Sequence, residues 1–306
     1  MDTTVESDVQ NLALVALHWD EHRPQLRVRE DGSHSTRLID PVGLKLNYQV
    51  GANPVRWCVG RHEPGSGYVD CRTRLTEPGR TCARCQSAEA IFASQLHHAH
   101  TQPRRLSSEM GRHLQQENLL YVAGFRDGSV KIGTSTRARI QKRLLEQGAW
   151  MAIQVALSTD GYAVREVEDQ ITLDLQLPQA VQAGRKVSGL SSPMGDEVLR
   201  SKLAAHTTSV HRLLDERADA RLHPRQDGWE NPAVQDTRWT GLITYPLHLG
   251  RGSHDLVIDG LVGRSAALRR PGTNDVFVAD LGKLFGLEVQ LGDFTSDEIA
   301  IQTSLF

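Results

Sequence analysis

All four cysteines of this 306-residue chain lie between Cys58 and Cys85. No other feature constrains the fold of a segment as tightly, because four thiols in one short stretch point to ligands of one metal ion, to disulfides or to a redox pair, with unrelated thiols as the remaining reading. Cys82-Ala83-Arg84-Cys85 has the Cys-x-x-Cys spacing that sets two sulfurs on one ion from a single turn, and Gly79 precedes it to help form the knuckle. Cys58 and Cys71 are spaced more widely than the pairs of a standard zinc ribbon. Two disulfides are disfavoured in a reducing cytoplasm, and a redox Cys-x-x-Cys is disfavoured by the two extra thiols. His62, His97, His98 and His100 are near enough in sequence for a mixed Cys/His site, yet Cys58, Cys71, Cys82 and Cys85 complete a tetrahedron without them. Such a site has no open position, so the expected ion is a structural Zn²⁺ and not a catalyst.

Hydrophobic residues make up 39% and charged residues 24% of the chain, which excludes disorder as a whole-chain state. The longest apolar runs, 12–17 and 152–157, fall far short of the roughly 20 residues that span a bilayer, so no membrane partner is expected. Asp2, Glu6 and Asp8 precede the first run, where a secretory signal needs basic residues, and a cytoplasmic protein is the reading. The net charge of −2 excludes a globally basic nucleic-acid binder, so any such site must be local.

The chain divides into a β-rich region over 1–57, a four-cysteine segment with a helix over 58–100 carrying Ile91, Phe92 and Leu96 on one face, a polar linker over 101–116 that contains Pro103, an α+β unit over 117–222, and a β-domain over 225–306. Leu287-Glu288-Val289-Gln290-Leu291 after Gly286 echoes Leu44-Lys45-Leu46 after Gly43, and whether the two β-rich ends share one sheet stays open. The fold class is α+β.

From Leu119 the sequence runs Leu-Leu-Tyr-Val-Ala-Gly-Phe-Arg-Asp-Gly-Ser-Val-Lys-Ile-Gly-Thr-Ser, followed by a basic helix and Gln147-Gly148-Ala149. This unit resembles the GIY-YIG nuclease superfamily over roughly residues 117–180. Tyr121 stands at the tyrosine of the first motif and Lys131-Ile132-Gly133 at the second. Arg143 matches the arginine of the following helix, and Glu168 the metal-binding glutamate of the next. Leu119-Leu120 replaces the Gly-Ile of the first motif, and Lys131 replaces the second tyrosine, as in some branches of the superfamily. The resemblance implies a small antiparallel sheet flanked by helices, catalysis by Tyr121, Lys131, Arg143 and Glu168, a Mg²⁺ or Mn²⁺ ion on Glu168, and DNA or RNA as partner.

Elementary patterning bears on the same residues. Between Arg126 and Arg143 there are six Lys or Arg and one acid, Asp127, a local excess that attracts phosphate unless it is only a solvated helix face. A helix from near Thr136 puts Ile140 and Leu144 on one face, with Arg139, Arg143 and Glu146 on the polar flank. In the helix over 162–175, Val164, Val167, Ile171 and Leu175 form a stripe that includes Glu168, while Glu166 points away. A carboxylate on an apolar stripe is costly unless it is paired, to Arg143 or Lys131, or binds a metal. If Arg126-Asp127-Gly128 is a three-residue loop with Gly128 left-handed, then Tyr121, Ala123, Lys131 and Gly133 share one face. A two-residue turn would separate Tyr121 from Lys131.

No Gly-x-x-x-x-Gly-Lys-Ser/Thr loop, His-Glu-x-x-His, Gly-x-Ser-x-Gly elbow or convincing Gly-x-Gly-x-x-Gly fingerprint occurs. Two functions remain: a metal-dependent nuclease cleaving phosphodiester bonds, or a zinc-containing nucleic-acid-binding or scaffold protein that lacks catalysis. The missing motif glycine and the near-neutral charge favour the second.

Overall fold

The computed structural model describes residues 10–297 apart from His34, 64–66 and 98–105. The acidic Asp2, Glu6 and Asp8, the histidines His98 and His100, and Pro103 lie outside these residues. The chain opens with β1 (Gln10–Asp20), β2 (Arg23–Glu30), β3 (Arg37–Ile39) and β4 (Lys45–Val50). The cysteine segment adds the short strands β5 (Arg56–Trp57), β6 (Arg61–Glu63), β7 (Gly67–Val69) and β8 (Arg74–Leu75), then α1 (Ala83–His97) and α2 (Ser108–Leu114). The middle unit runs β9 (Asn118–Gly124), β10 (Val130–Thr136), α3 (Ile140–Gln147), β11 (Met151–Ser158), α4 (Gly161–Leu175), α5 (Ala183–Ser191), α6 (Asp196–Arg217) and β12 (Leu222–Glu230). The last strands are β13 (Ile243–Thr244), β14 (Gly252–Val262), β15 (Ser265–Arg269), β16 (Val276–Asp280) and β17 (Glu288–Leu291).

Two principal sheets result, and the fold is mixed α+β. The two β-rich ends form one nine-stranded sheet in the order β13-β16-β15-β14-β4-β17-β1-β2-β3. β4 pairs with β14 through Leu46 and Leu256, and β1 pairs with β17 through Leu12 and Val289. Alternation carries this sheet, since Leu46, Tyr48 and Val50 are buried while Lys45 and Gln49 are exposed. The strands between Gln10 and Val50 and those between Ile243 and Leu291 therefore share one sheet.

The second sheet has the order β10-β9-β11-β12 and is covered on both faces. Leu120, Val122 and Ile132 pack with Val164, Val167 and Ile171 of α4 and Leu199 and Leu203 of α6. Leu119, Tyr121 and Ala123 join the core of the large sheet through Ile140, Leu144 and Leu145 of α3. β12 crosses the sequence boundary drawn near 222–225, pairing Trp229 with Ala152 of β11.

Two local expectations change. Residues 108–114 form a helix, not a polar linker: Ser107 caps it by accepting from the Met110 amide, and Met110 and Leu114 are buried against Phe92 and Leu96. Ile91 is exposed, so α1 packs half-buried Phe92 and Leu96 against α2 without it.

Candidate functional site

The site begins with the β9–β10 turn. Gly128 has φ +78° and donates to the Phe125 carbonyl, while the Phe125 amide donates to the Ser129 carbonyl, closing the three-residue loop Arg126-Asp127-Gly128. The ladder pairs Ala123 with Lys131 and Tyr121 with Gly133, which puts the Tyr121 and Lys131 side chains on one face. A Cβ at Gly133 would sit 2.6 Å from the Tyr121 hydroxyl, so only glycine leaves room for the tyrosine ring to lie across the neighbouring strand. α3 ends at Gly148 in the left-handed conformation and supplies Arg143 and Gln147 above this face. On α4, capped by Asp160 accepting from the amides of Tyr162 and Ala163, Glu168 comes up beside β10.

These residues line one cleft of about 670 Å³, closed on its other sides by β1, the β6–β7 hairpin, α1 and α2. Tyr121, Lys131, Arg143 and Glu168 all border it. Tyr121 is fully buried, and its hydroxyl accepts from Gln147 Nε2 at 2.9 Å and from Arg143. Burial raises its pKa, with the Arg143 charge opposing, so the phenol keeps its proton. Lys131 Nζ lies 5.8 Å from the tyrosine ring centroid and donates to the Gln179 carbonyl at 2.9 Å. Burial first and the Arg143 guanidinium second push this ammonium down to about 7. Glu168 is 7% exposed; Thr134 Oγ1 donates to its Oε2 at 3.2 Å, and among the described residues it has no ion-pair partner. Burial raises its pKa, offset in part by Arg165 and Lys131. Neither Arg143 nor Lys131 seals it. Glu166, on the opposite side of α4, pairs with Arg217 at 2.6 Å.

Five Lys or Arg and three Glu line the cleft, a surplus that favours phosphate. Arg165, three residues before Glu168 on α4, was not singled out in the sequence, although its i−3 position toward the same face was a usable sign. Its Nε is buried without a hydrogen-bond partner. His113 of α2 also borders the cleft, and no pattern in the sequence pointed to it.

A second arrangement is the cysteine cluster. The four thiol sulfurs lie within 4.8 Å of one another, with Cys71 and Cys82 at 3.8 Å. A tetrahedron with Zn–S bonds of about 2.3 Å has S···S edges of about 3.8 Å, so the group fits a metal such as zinc. All four are free thiols. The Cys82 amide donates to Cys58 Sγ at 3.2 Å, and the Cys85 backbone holds the Cys82 thiol down at about 6. Cys58, fully buried, is pushed up to about 12, a burial cost that a bound cation would remove. His62 is not part of the cluster; it stands edge-on to Tyr68 at 5.8 Å and borders the cleft.

A family model described as "Protein of unknown function (DUF2797)" matches residues 69–243, more than half of the chain. The match takes in Tyr121, Lys131, Arg143, Glu168 and three of the four cysteines. No curated protein and no solved structure matches. No helix among the described residues is long and apolar enough to cross a membrane.

Proposed function

The chain belongs to the DUF2797 family, and we propose that it is a metal-dependent nuclease whose 117–222 unit is GIY-YIG-like and cleaves phosphodiester bonds of DNA or RNA. The observation that carries this reading is Glu168: a buried carboxylate without an ion-pair partner among the described residues, bordering the same cationic cleft as Tyr121, Lys131 and Arg143. One carboxylate suits Mg²⁺ or Mn²⁺, ions that complete their shells with water and substrate phosphate oxygens. Bound there, such an ion supplies positive charge to the leaving oxygen.

The chain's own groups divide the remaining work. Arg143 neutralises the phosphate. Lys131, about half neutral near pH 7, accepts the proton of the attacking water. Tyr121 keeps its proton, and its hydroxyl, fixed by Gln147 and Arg143, orients that water. Cys58, Cys71, Cys82 and Cys85 would hold a structural Zn²⁺, which would fix the β6–β7 wall of the cleft. The test is incubation of zinc-loaded protein with single-stranded, duplex and branched DNA and RNA in Mg²⁺ or Mn²⁺. Cleavage by the wild type that Glu168→Gln abolishes supports the nuclease. Binding without cleavage by either protein supports a nucleic-acid-binding scaffold instead.

A further inference from the structure

The cleft has two unlike linings. Its reacting groups are sunk: Tyr121, Lys131 and Glu168 are 0%, 5% and 7% exposed. Elsewhere it is bordered by rings, His62 and Tyr68 on the β6–β7 hairpin and Phe92 and His113 where α1 meets α2. These rings sit in edge-to-face pairs, His62 with Tyr68 at 5.8 Å and Phe92 with His113 at 6.5 Å. One face of Tyr68 is taken by the Arg27 guanidinium, 4.3 Å from the ring centroid, while His62 is exposed.

Resting on the phosphodiester reading above, we infer that this cleft takes unpaired nucleic acid: a single strand, a flap or a loop whose bases are splayed against the rings while the backbone descends to Lys131 and Glu168. Two independent observations lead there. At about 670 Å³ the cleft falls in the range of small-molecule pockets, roughly 300–1,000 Å³, and its volume suits a short stretch of one strand. Rings beside a cationic channel are useful only to bases whose faces are free, and in a duplex those faces are stacked on one another. A flexible strand satisfies both linings at once.

The experiment compares a fluorescent 12-nucleotide single strand with the blunt duplex of the same sequence, using the full zinc-loaded chain. Anisotropy is read without Mg²⁺ and cleavage is read with it. The single strand should bind roughly tenfold or more tightly than the duplex, and His62→Ala and His113→Ala should each weaken it by roughly fivefold or more while leaving duplex binding unchanged. His62 is exposed and is not a ligand of the cysteine cluster, so its variant keeps the fold even if His113→Ala does not. Duplex bound as tightly as the single strand, and cut in a Glu168-dependent way, overturns this inference and leaves the nuclease standing. Neither form bound nor cut overturns both.

Discussion

Among the described residues from Cys58 to Cys85, the cysteines at the two ends are the only buried hydrophobic side chains, whereas every residue of β9 is buried. Among its described residues the cysteine segment has only the two-stranded pairs β5–β8 and β6–β7 and almost no apolar core, so burial contributes little to holding it. The β9–β10 hairpin is packed on both faces and tolerates a lysine and a neighbouring carboxylate in its cover. One region has four clustered thiols where a core would otherwise be. The other is a packed structure that carries buried charged groups, and this division suits a cleft with a wall from the first and a floor from the second.

The sharpest way to break the comparison is to take away the thiol cluster of the first region. Protein purified without chelator should carry about one zinc per chain, and Cys82→Ser should lose it. Structural zinc contributes on the order of 10 kcal/mol to folding in small sites, so hydrogen exchange over 58–85 should collapse toward the unfolded rate while β9, β10 and β11 stay protected. Full protection of 58–85 in a metal-free protein would end the contrast.

The second region is tested at Glu168. Glu168→Gln should lower cleavage by roughly 10²–10³-fold. Its carboxyl titrates above the ordinary range because burial disfavours the charge, so the native state holds the proton more firmly than the unfolded chain. Ionisation therefore costs stability, and the cost grows as pH rises through the raised pKa. The Gln variant should melt at pH 8 at or above the wild-type temperature; a drop of several degrees would reveal a structural ion pair.

Lys131 has a smaller effect with a defined pH window. Its pKa falls from 10.5 to about 7 on folding, so between those values the unfolded chain binds more protons and stability rises with pH. Urea titrations at pH 7 and pH 9.5 should differ by up to a few kcal/mol in the wild type, at about 1.4 kcal/mol per unit, and lose that component in Lys131→Met. The rise in cleavage rate through pH 7 should vanish with it.

The smallest effect is at Glu166, which is 45% exposed and paired with Arg217 and Arg221. Glu166→Gln should keep full cleavage and change stability by less than about 1 kcal/mol. A large loss would mean that both sides of α4 serve the site.

The parts of the cleft that were legible in the sequence depend on short-range chemistry. Asp127-Gly128 sets the loop, the loop sets the register, and the register puts Tyr121 beside Lys131. The 3.6-residue period of α4 set Glu168 on the buried stripe. The close spacing of the cysteines likewise announced a cluster. What was not legible lies in pairings between distant segments. β4 meets β14 across two hundred residues, and alternation in each strand is equally satisfied by any apolar partner sheet. α2 was hidden because seven residues with two apolar anchors have little periodicity of their own, and its helix forms by docking Met110 and Leu114 under α1. His113 reaches the cleft only through that docking.

The position of β1 between β17 and β2 has a consequence for how the protein is made. β2, the partner of one edge of β1, follows it directly in the sequence, but the partner of its other edge is complete only when Leu291 has been translated. At about 5–20 residues per second that interval is on the order of 15–60 s, during which the hairpin unit of 117–222 can already fold from local contacts. An apolar strand edge from Leu12 to Val15 is exposed to other nascent chains for that time. Slowing translation anywhere between β2 and β17 should therefore increase aggregation, and slowing it after Leu291 should not.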